Sequence, residues 1–338
     1  AVNMMLKKFI KSLSVGTLVA LSISSQSFAS AWDDYKAKYL QQDGAIVDTG
    51  NNNMSHSEGQ GYGLMFALAY DDKESFEKIL NWTNQNLKDP KSGLFYWSYR
   101  RDGSDPIPDK NNATDGDLFI AWTLIKAGKK WQNKAYLKQG ETLANIVTTL
   151  TATKVGGYNV VLPGVSGFFY DNYVVVNPSY FIYPAFKDLA NYTYIKLWKE
   201  LSSDGKKLLN NLSGQKIKLA PDWLELHADS TNLPAPQWPS RSSYDAIRVP
   251  LYLYWADPNC PELQVYKTYY ASFDANNTPA WVDVVTEEKA NYFMSSGLKA
   301  VRDLVMGKVI LEPEITKSED YYNASLSMLA YLAYLDNH

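Results

Sequence analysis

An all-α fold, a toroid or solenoid of paired helices, is predicted by three features of residues 32–338. About ten segments carry apolar residues at helical spacing. Their connections alternate between brief turns such as Asp71-Asp72 and long loops rich in Trp, Pro, Asp and Asn, such as 89–112 and 219–243. No Pro/Ser/Gly-rich linker and no shift of composition divides the stretch, which argues for one domain. Long loops gathered on one face are where function is expected.

In chain order, the predicted helices cover 58–70, 73–87, 114–127, 134–150, 179–189, 194–209, 244–255, 261–273, 291–306 and 320–335. The second shows the pattern plainly, with Phe76, Ile79, Leu80 and Leu87 on one face. The third carries Leu118, Ile120, Ala121, Leu124 and Ile125. Strand-like stretches are short, at 158–162 and 173–176. Ahead of the first helix, Lys7, Lys8 and Lys11 precede an apolar run over 13–23 and a set of small residues. That layout reads as a secretory signal peptide in residues 1–29, cut after Ala29 or Ala31, with a single domain over 30–338. The run is too short to span a bilayer, which takes about 20 residues. The expected location is therefore periplasmic or secreted.

A net charge of −3 without a Lys/Arg cluster gives no footprint for nucleic acid. The 25 Tyr, 12 Phe and 10 Trp fit either a large aromatic core or a cleft of flat rings suited to sugar faces, and composition leaves both open. The single cysteine, Cys260, can form neither an internal disulfide nor a thiolate zinc site. No metal and no cofactor is expected.

Three acidic stretches stand apart at predicted helix starts. They are Ser55-His56-Ser57-Glu58-Gly59-Gln60-Gly61-Tyr62-Gly63, Asn111-Asn112-Ala113-Thr114-Asp115-Gly116-Asp117 and Ser242-Ser243-Tyr244-Asp245-Ala246-Ile247-Arg248. Taken singly, each is explained by capping: Ser55 or Ser57 at the first, Thr114 or Asp115 at the second. Together, acids beside small residues suit a neutral, hydroxyl-rich substrate, with the glycines read as clearance for its chain. Glycoside hydrolysis needs two carboxylates in different environments. His56-x-Glu58 begins a zinc-deaminase signature, but the required Cys pair is missing. No G-x-S-x-G elbow and no phosphate-binding loop occurs.

Ser57–Gly63, Ala113-Thr114-Asp115-Gly116-Asp117 and Ser243-Tyr244-Asp245-Ala246-Ile247-Arg248 together resemble glycoside hydrolase family 8. The likeness runs from Trp32 to Asp320-Tyr321-Tyr322. Within the family it is nearest to the periplasmic endoglucanases encoded beside bacterial cellulose synthases. The resemblance implies an (α/α)6 barrel of six inner and six outer helices, with long loops and short strands forming a cleft on one face. It implies an inverting endo-β-1,4-glucanase acting on cellulose or cello-oligosaccharides, with a functional link to a cellulose synthase complex. Glu58 matches the family's general acid, Asp245 its general base, and Asp115 the residue that holds the sugar at the cleavage subsite. Asp117 then reads as structural support, and Arg248 as a partner either for Asp245 or for a loop carbonyl. Candidate sugar platforms are Tyr62, Trp97, Trp131, Tyr180, Tyr183, Trp223, Trp238 and Tyr244, with Tyr62 as a wall beside Glu58. The same acids would serve an enzyme acting on xylan, chitosan or mixed-linkage glucan. A non-catalytic polysaccharide-binding subunit of an export system would instead predict damaged acids, and all three are intact.

Overall fold

The computed structural model describes residues 29–338. The expected signal peptide therefore lies outside the described residues, apart from its cleavage region. There, Ser30 caps helix α1 (Ala31–Tyr39), with its hydroxyl on the Asp33 amide and the Asp33 carboxylate returned to its own N–H. This reciprocal pair satisfies two of the free donors at a helix start. Sequence periodicity missed α1, because its buried Trp32, Tyr35 and Tyr39 cover too few turns to establish a pattern.

Ten further helices follow. They are α2 (Ser57–Ala69), α3 (Lys73–Asn86), α4 (Thr114–Lys130), α5 (Lys134–Thr151), α6 (Tyr183–Thr193), α7 (Lys196–Asn210), α8 (Arg248–Ala256), α9 (Gln264–Ala271), α10 (Ser296–Val305) and α11 (Tyr321–Asp336). Helices α2, α4, α8 and α11 are buried along nearly their whole length, as inner helices must be. α2 packs on α4, α4 on α6, α6 on α8, α8 on α11, and α11 returns to α2, closing the ring. The outer helices bury one stripe each, as α3 does with Phe76, Ile79, Leu80 and Trp82.

This is the (α/α)6 barrel, with eleven helices among the described residues rather than twelve. The connection between α9 and α10 is irregular, because Asp274-Ala275-Asn276-Asn277 forms a turn and Pro279 follows it. Several predicted boundaries also move: the helices expected from 179 and 291 begin at Tyr183 and Ser296. Residue 194 ends α6 in the left-handed conformation (φ 58°) instead of opening α7. Residues 244–247 form a turn, and α8 begins only at Arg248.

The strands decorate one end of the ring. β1 (Ser55–His56) pairs with β2 (Ser98–Tyr99), β3 (Ala152–Val155) with β4 (Tyr158–Val161), and β5 (Tyr173–Val176) with β6 (Leu224–His227), which also pairs with β7 (Asn232–Pro234). β8 (Arg241–Ser242) pairs with β9 (Val282–Asp283). β1 runs straight into α2, and β8 leads to the turn before α8, so these short ladders fix the starts of two inner helices. Among the described residues no helix is long and apolar enough to cross a membrane.

Candidate active site

Inner helices that start at the same end of a barrel bring their N-termini together, and this sequence places its acids there. Glu58 and Asp115 are the second residues of α2 and α4, Arg248 is the first of α8, and Tyr321 is the first of α11. The caps differ from expectation. α2 is capped by His56, whose Nδ1 accepts the Gly59 amide at 2.9 Å, and α4 follows Ala113 with no side-chain cap. The Nδ1 lone pair is engaged, so the ring proton sits on Nε2 and faces Asp48 Oδ2 at 3.1 Å. Burial opposes charge on this imidazole, but Asp48 and Glu58 outweigh it and leave its pKa raised.

Arg248 is the hub. Its side chain is 2% exposed, and Nη1 donates to Glu58 Oε2 at 3.0 Å, Asp115 Oδ2 at 3.2 Å and Tyr62 Oη at 3.3 Å. Nη2 donates to Ser179 Oγ at 2.9 Å and Asp245 Oδ1 at 3.2 Å, and Nε reaches the Asp245 carbonyl. The two sequence-level alternatives for Arg248 thus both occur, and two further carboxylates from other helices join them. A rigid planar fork with five donors can serve so many acceptors, whereas a lysine cannot. The cation among the three carboxylates is this guanidinium. Among the described residues no group of three or more His, Cys, Asp or Glu is arranged to hold a metal ion.

The three acids differ in exposure, at 22% for the Glu58 side chain, 39% for Asp245 and 7% for Asp115. Glu58 Oε1 also accepts from Tyr321 Oη at 3.0 Å, and Asp245 Oδ2 from Asn177 Nδ2 at 3.2 Å. Burial pushes the Asp115 carboxyl above the usual range, the Arg248 charge only partly opposing it, and the charges of Glu58 and Asp245 add to the rise. Burial, with the charge that one guanidinium leaves uncompensated among three carboxylates, brings the Asp115 pKa to about 6. Asp117 lies outside the cluster. Its carboxylate ties the Phe95 amide and Asn112 Nδ2, and burial raises its pKa to about 8. It fastens the 89–112 loop to α4.

Several predicted platforms belong elsewhere. Tyr62 is 1% exposed, with its ring edge-on to Phe119 and its hydroxyl beneath Arg248, so it is a pillar under the acids rather than a wall. Tyr183 is buried against Phe186 and Gly205 on the α6–α7 side. Trp131 closes the far end of α4, its indole N–H on Asp71. The others stay at the mouth. Trp97 is partly exposed beside β2, and its carbonyl accepts the Ser57 amide. Tyr244 is exposed, with its hydroxyl on Tyr292. Trp223 stacks on Trp238 at 4.3 Å and on Phe168 at 5.8 Å, with Tyr180 edge-on. Sequence reasoning missed Asn177, Ser179, Tyr321 and Tyr322; only the Asp-Tyr-Tyr run at the start of α11 carried a local signal for any of them.

The glycines do not clear a path for substrate. A Cβ on Gly61 would meet Phe119 and Ile120 of α4, and one on Gly63 would meet Ile46 at 2.9 Å. One on Gly59 would meet Tyr321 Oη and the His56 ring. They let helices approach one another. Gly116 shows this most strongly, since a Cβ there would lie 2.2 Å from Ser57 Oγ and 2.7 Å from Ser57 Cβ. Gly116→Ala must therefore push the starts of α2 and α4 apart. We expect a stability loss of about 1–3 kcal/mol and a fall in kcat of roughly 10-fold or more, because Glu58 and Asp115 move with those starts. Thermal melts and the rate of the hydrolysis implied by the sequence resemblance check this; a variant with wild-type values in both would refute the close-approach argument.

A family model described as "Glycosyl hydrolases family 8" matches residues 5–336. The chain belongs to glycosyl hydrolase family 8. It is 44% identical over 287 residues to an endoglucanase of Cellulomonas uda, covering 85% of this chain and 80% of that one. It is 38% identical over 308 residues to a probable endoglucanase of Novacetimonas hansenii, covering 90% of each. The crystal structure of a family 8 endoglucanase, Cel10, from Klebsiella pneumoniae superposes with a TM-score of 0.89 at 44% identity, over 91% of this chain and 99% of that one. As a member of family 8, the chain is a glycoside hydrolase.

Proposed function

We propose that this family 8 hydrolase is an inverting endo-β-1,4-glucanase. The observation that carries the reading is one guanidinium holding three carboxylates from three inner-helix starts at a single aromatic-lined mouth. The relatives named endoglucanase support the glucan as substrate. Glu58 gives its proton to the glycosidic oxygen. Asp245, the most exposed acid, takes a proton from water attacking the opposite face of the sugar. In inverting enzymes two such carboxyls stand roughly 6.5–9.5 Å apart, leaving space for that water. Asp115, the most enclosed, binds sugar hydroxyls and favours the distorted ring of the transition state. Arg248 holds all three in register through substrate entry and product release. Trp97, Tyr180 and Tyr244 at the mouth, with the Trp223–Trp238 stack, offer faces for glucose rings. The leader layout of residues 1–29 supports export to the periplasm or medium, and the family resemblance supports a link with cellulose synthesis.

Following cello-oligosaccharide hydrolysis by proton NMR tests the stereochemistry. The first product signal is expected to be the α-anomer, and initial β-anomer would end the inverting assignment. Reducing-sugar release from carboxymethylcellulose should exceed that from xylan and chitosan; a preference for either of these would move the substrate assignment.

A further inference from the structure

Asp222 lies in the long loop between α7 and α8, just before β6 and outside the three acids described above. Its backbone N–H donates to the Arg241 carbonyl at 2.8 Å. Its Oδ1 accepts the Ser243 amide at 3.0 Å and the Ala246 amide at 2.9 Å. These two amides bracket Asp245. The side chain of Asp245 itself has only the 3.2 Å bonds to Arg248 and Asn177, and it is more than a third exposed. Its direction is therefore governed by the backbone turn 243–246. That turn is held further by the Tyr322 hydroxyl on the Tyr244 carbonyl, by Arg248 Nε on the Asp245 carbonyl and by the Tyr244 hydroxyl against Tyr292.

We propose that Asp222 is a positioning residue for hydrolysis: by holding the amides on both sides of Asp245, it keeps that carboxylate facing the water it must activate. This rests on the reading of Asp245 as the general base. The next residue, Trp223, begins the Trp223–Trp238 stack, so one short segment links an aromatic wall of the mouth to the turn that carries the base. A carboxylate accepts two N–H groups at once, and the site needs that double acceptor.

The electrostatics agree with this geometry. Burial and the neighbouring Asp245 charge push the Asp222 carboxyl above its usual range, while the two amides and Arg248 oppose the rise less strongly. Of two interacting carboxylates, the more enclosed retains the shared proton more readily. The other groups facing Asp245 are Arg248, Glu58, Asp115, Tyr180 and Tyr322. The amide-acceptor role survives protonation, because the carbonyl oxygen of a neutral carboxyl still accepts.

The test compares Asp222→Ala and Asp222→Asn with Asp245→Asn in kcat and KM on cellopentaose, with oligosaccharide affinity from tryptophan fluorescence. Asp222→Ala frees both amides and should lower kcat roughly 10- to 100-fold while KM and affinity stay within about threefold. Asp222→Asn keeps the acceptor oxygen and should recover most of that loss. Wild-type kcat in Asp222→Ala overturns the proposal. So does a loss carried by KM alone, or an Asp222→Asn enzyme as slow as the alanine variant. If Asp245→Asn is fully active, the base assignment fails instead. If Asp245→Asn is inactive and both Asp222 variants are normal, only the role of Asp222 falls.

Discussion

Glu58→Gln is expected to lower kcat on cello-oligosaccharides by roughly 10²- to 10⁴-fold, the usual contribution of a positioned proton donor. The substitution keeps the volume of the side chain and one acceptor oxygen for Arg248, while the new NH2 can donate to the Tyr321 hydroxyl, reversing that bond. The effect therefore isolates the proton. The decisive comparison uses a cellobioside with an acidic phenol as leaving group, which departs without protonation. On that substrate Glu58→Gln should lose far less, while Asp245→Asn should lose about as much on both, because activating water is needed in either case. Equal losses for Glu58→Gln on the two substrates would remove it from the acid role. A mild effect of Asp245→Asn on both would remove that residue as the base.

The contrast between these acids was only partly legible in the sequence. The three acidic stretches were visible because each sits at the start of an inner helix, where small residues, a carboxylate and a new apolar period coincide. The barrel was legible for the same reason, as alternating short and long connections. The glycines of α2 were misread. With 3.6 residues per turn, Gly59 and Gly61 lie about 200° apart around the axis, so they cannot both face one cleft. Their neighbours come from different elements: Tyr321 and His56 for one, Phe119 and Ile120 for the other. Tyr62 was misassigned because it follows Glu58 by four residues, which puts it one turn deeper on the same face of α2, in the core beneath Arg248 rather than at the mouth. Arg248 could be tied by spacing to Asp245 three residues earlier, but its bonds to Glu58 and Asp115 cross 190 and 133 residues. Asp222 carried no local pattern, because its partners are backbone amides, which look alike at every position.

Replacing Arg248 by Met should abolish measurable hydrolysis and destabilise the fold in a pH-dependent way. Removing one partner of a buried ion pair typically costs about 3–5 kcal/mol, because the remaining charge stays buried. Most of that cost should fall on Asp115, whose side chain is 7% exposed; the part-exposed Asp245 is screened by solvent and contributes little. Asp115 already has a raised pKa in the folded protein, and Arg248 is the main opposing influence. Without the guanidinium its pKa rises further above the unfolded value of about 3.9. A carboxyl raised in this way favours the folded state at low pH, and that contribution is lost as pH climbs through the folded pKa. The deficit in melting temperature relative to wild type should thus be larger at about pH 7.5 than at about pH 5. Arg248→Lys would keep a charge but not the fork, and a compact ammonium cannot span Glu58, Asp115, Ser179 and Asp245 together. It should recover part of the stability at neutral pH and little of the activity. A pH-independent deficit in Arg248→Met would mean that the guanidinium acts through packing rather than charge. An active Arg248→Lys enzyme would mean that the acids find their register without the fork.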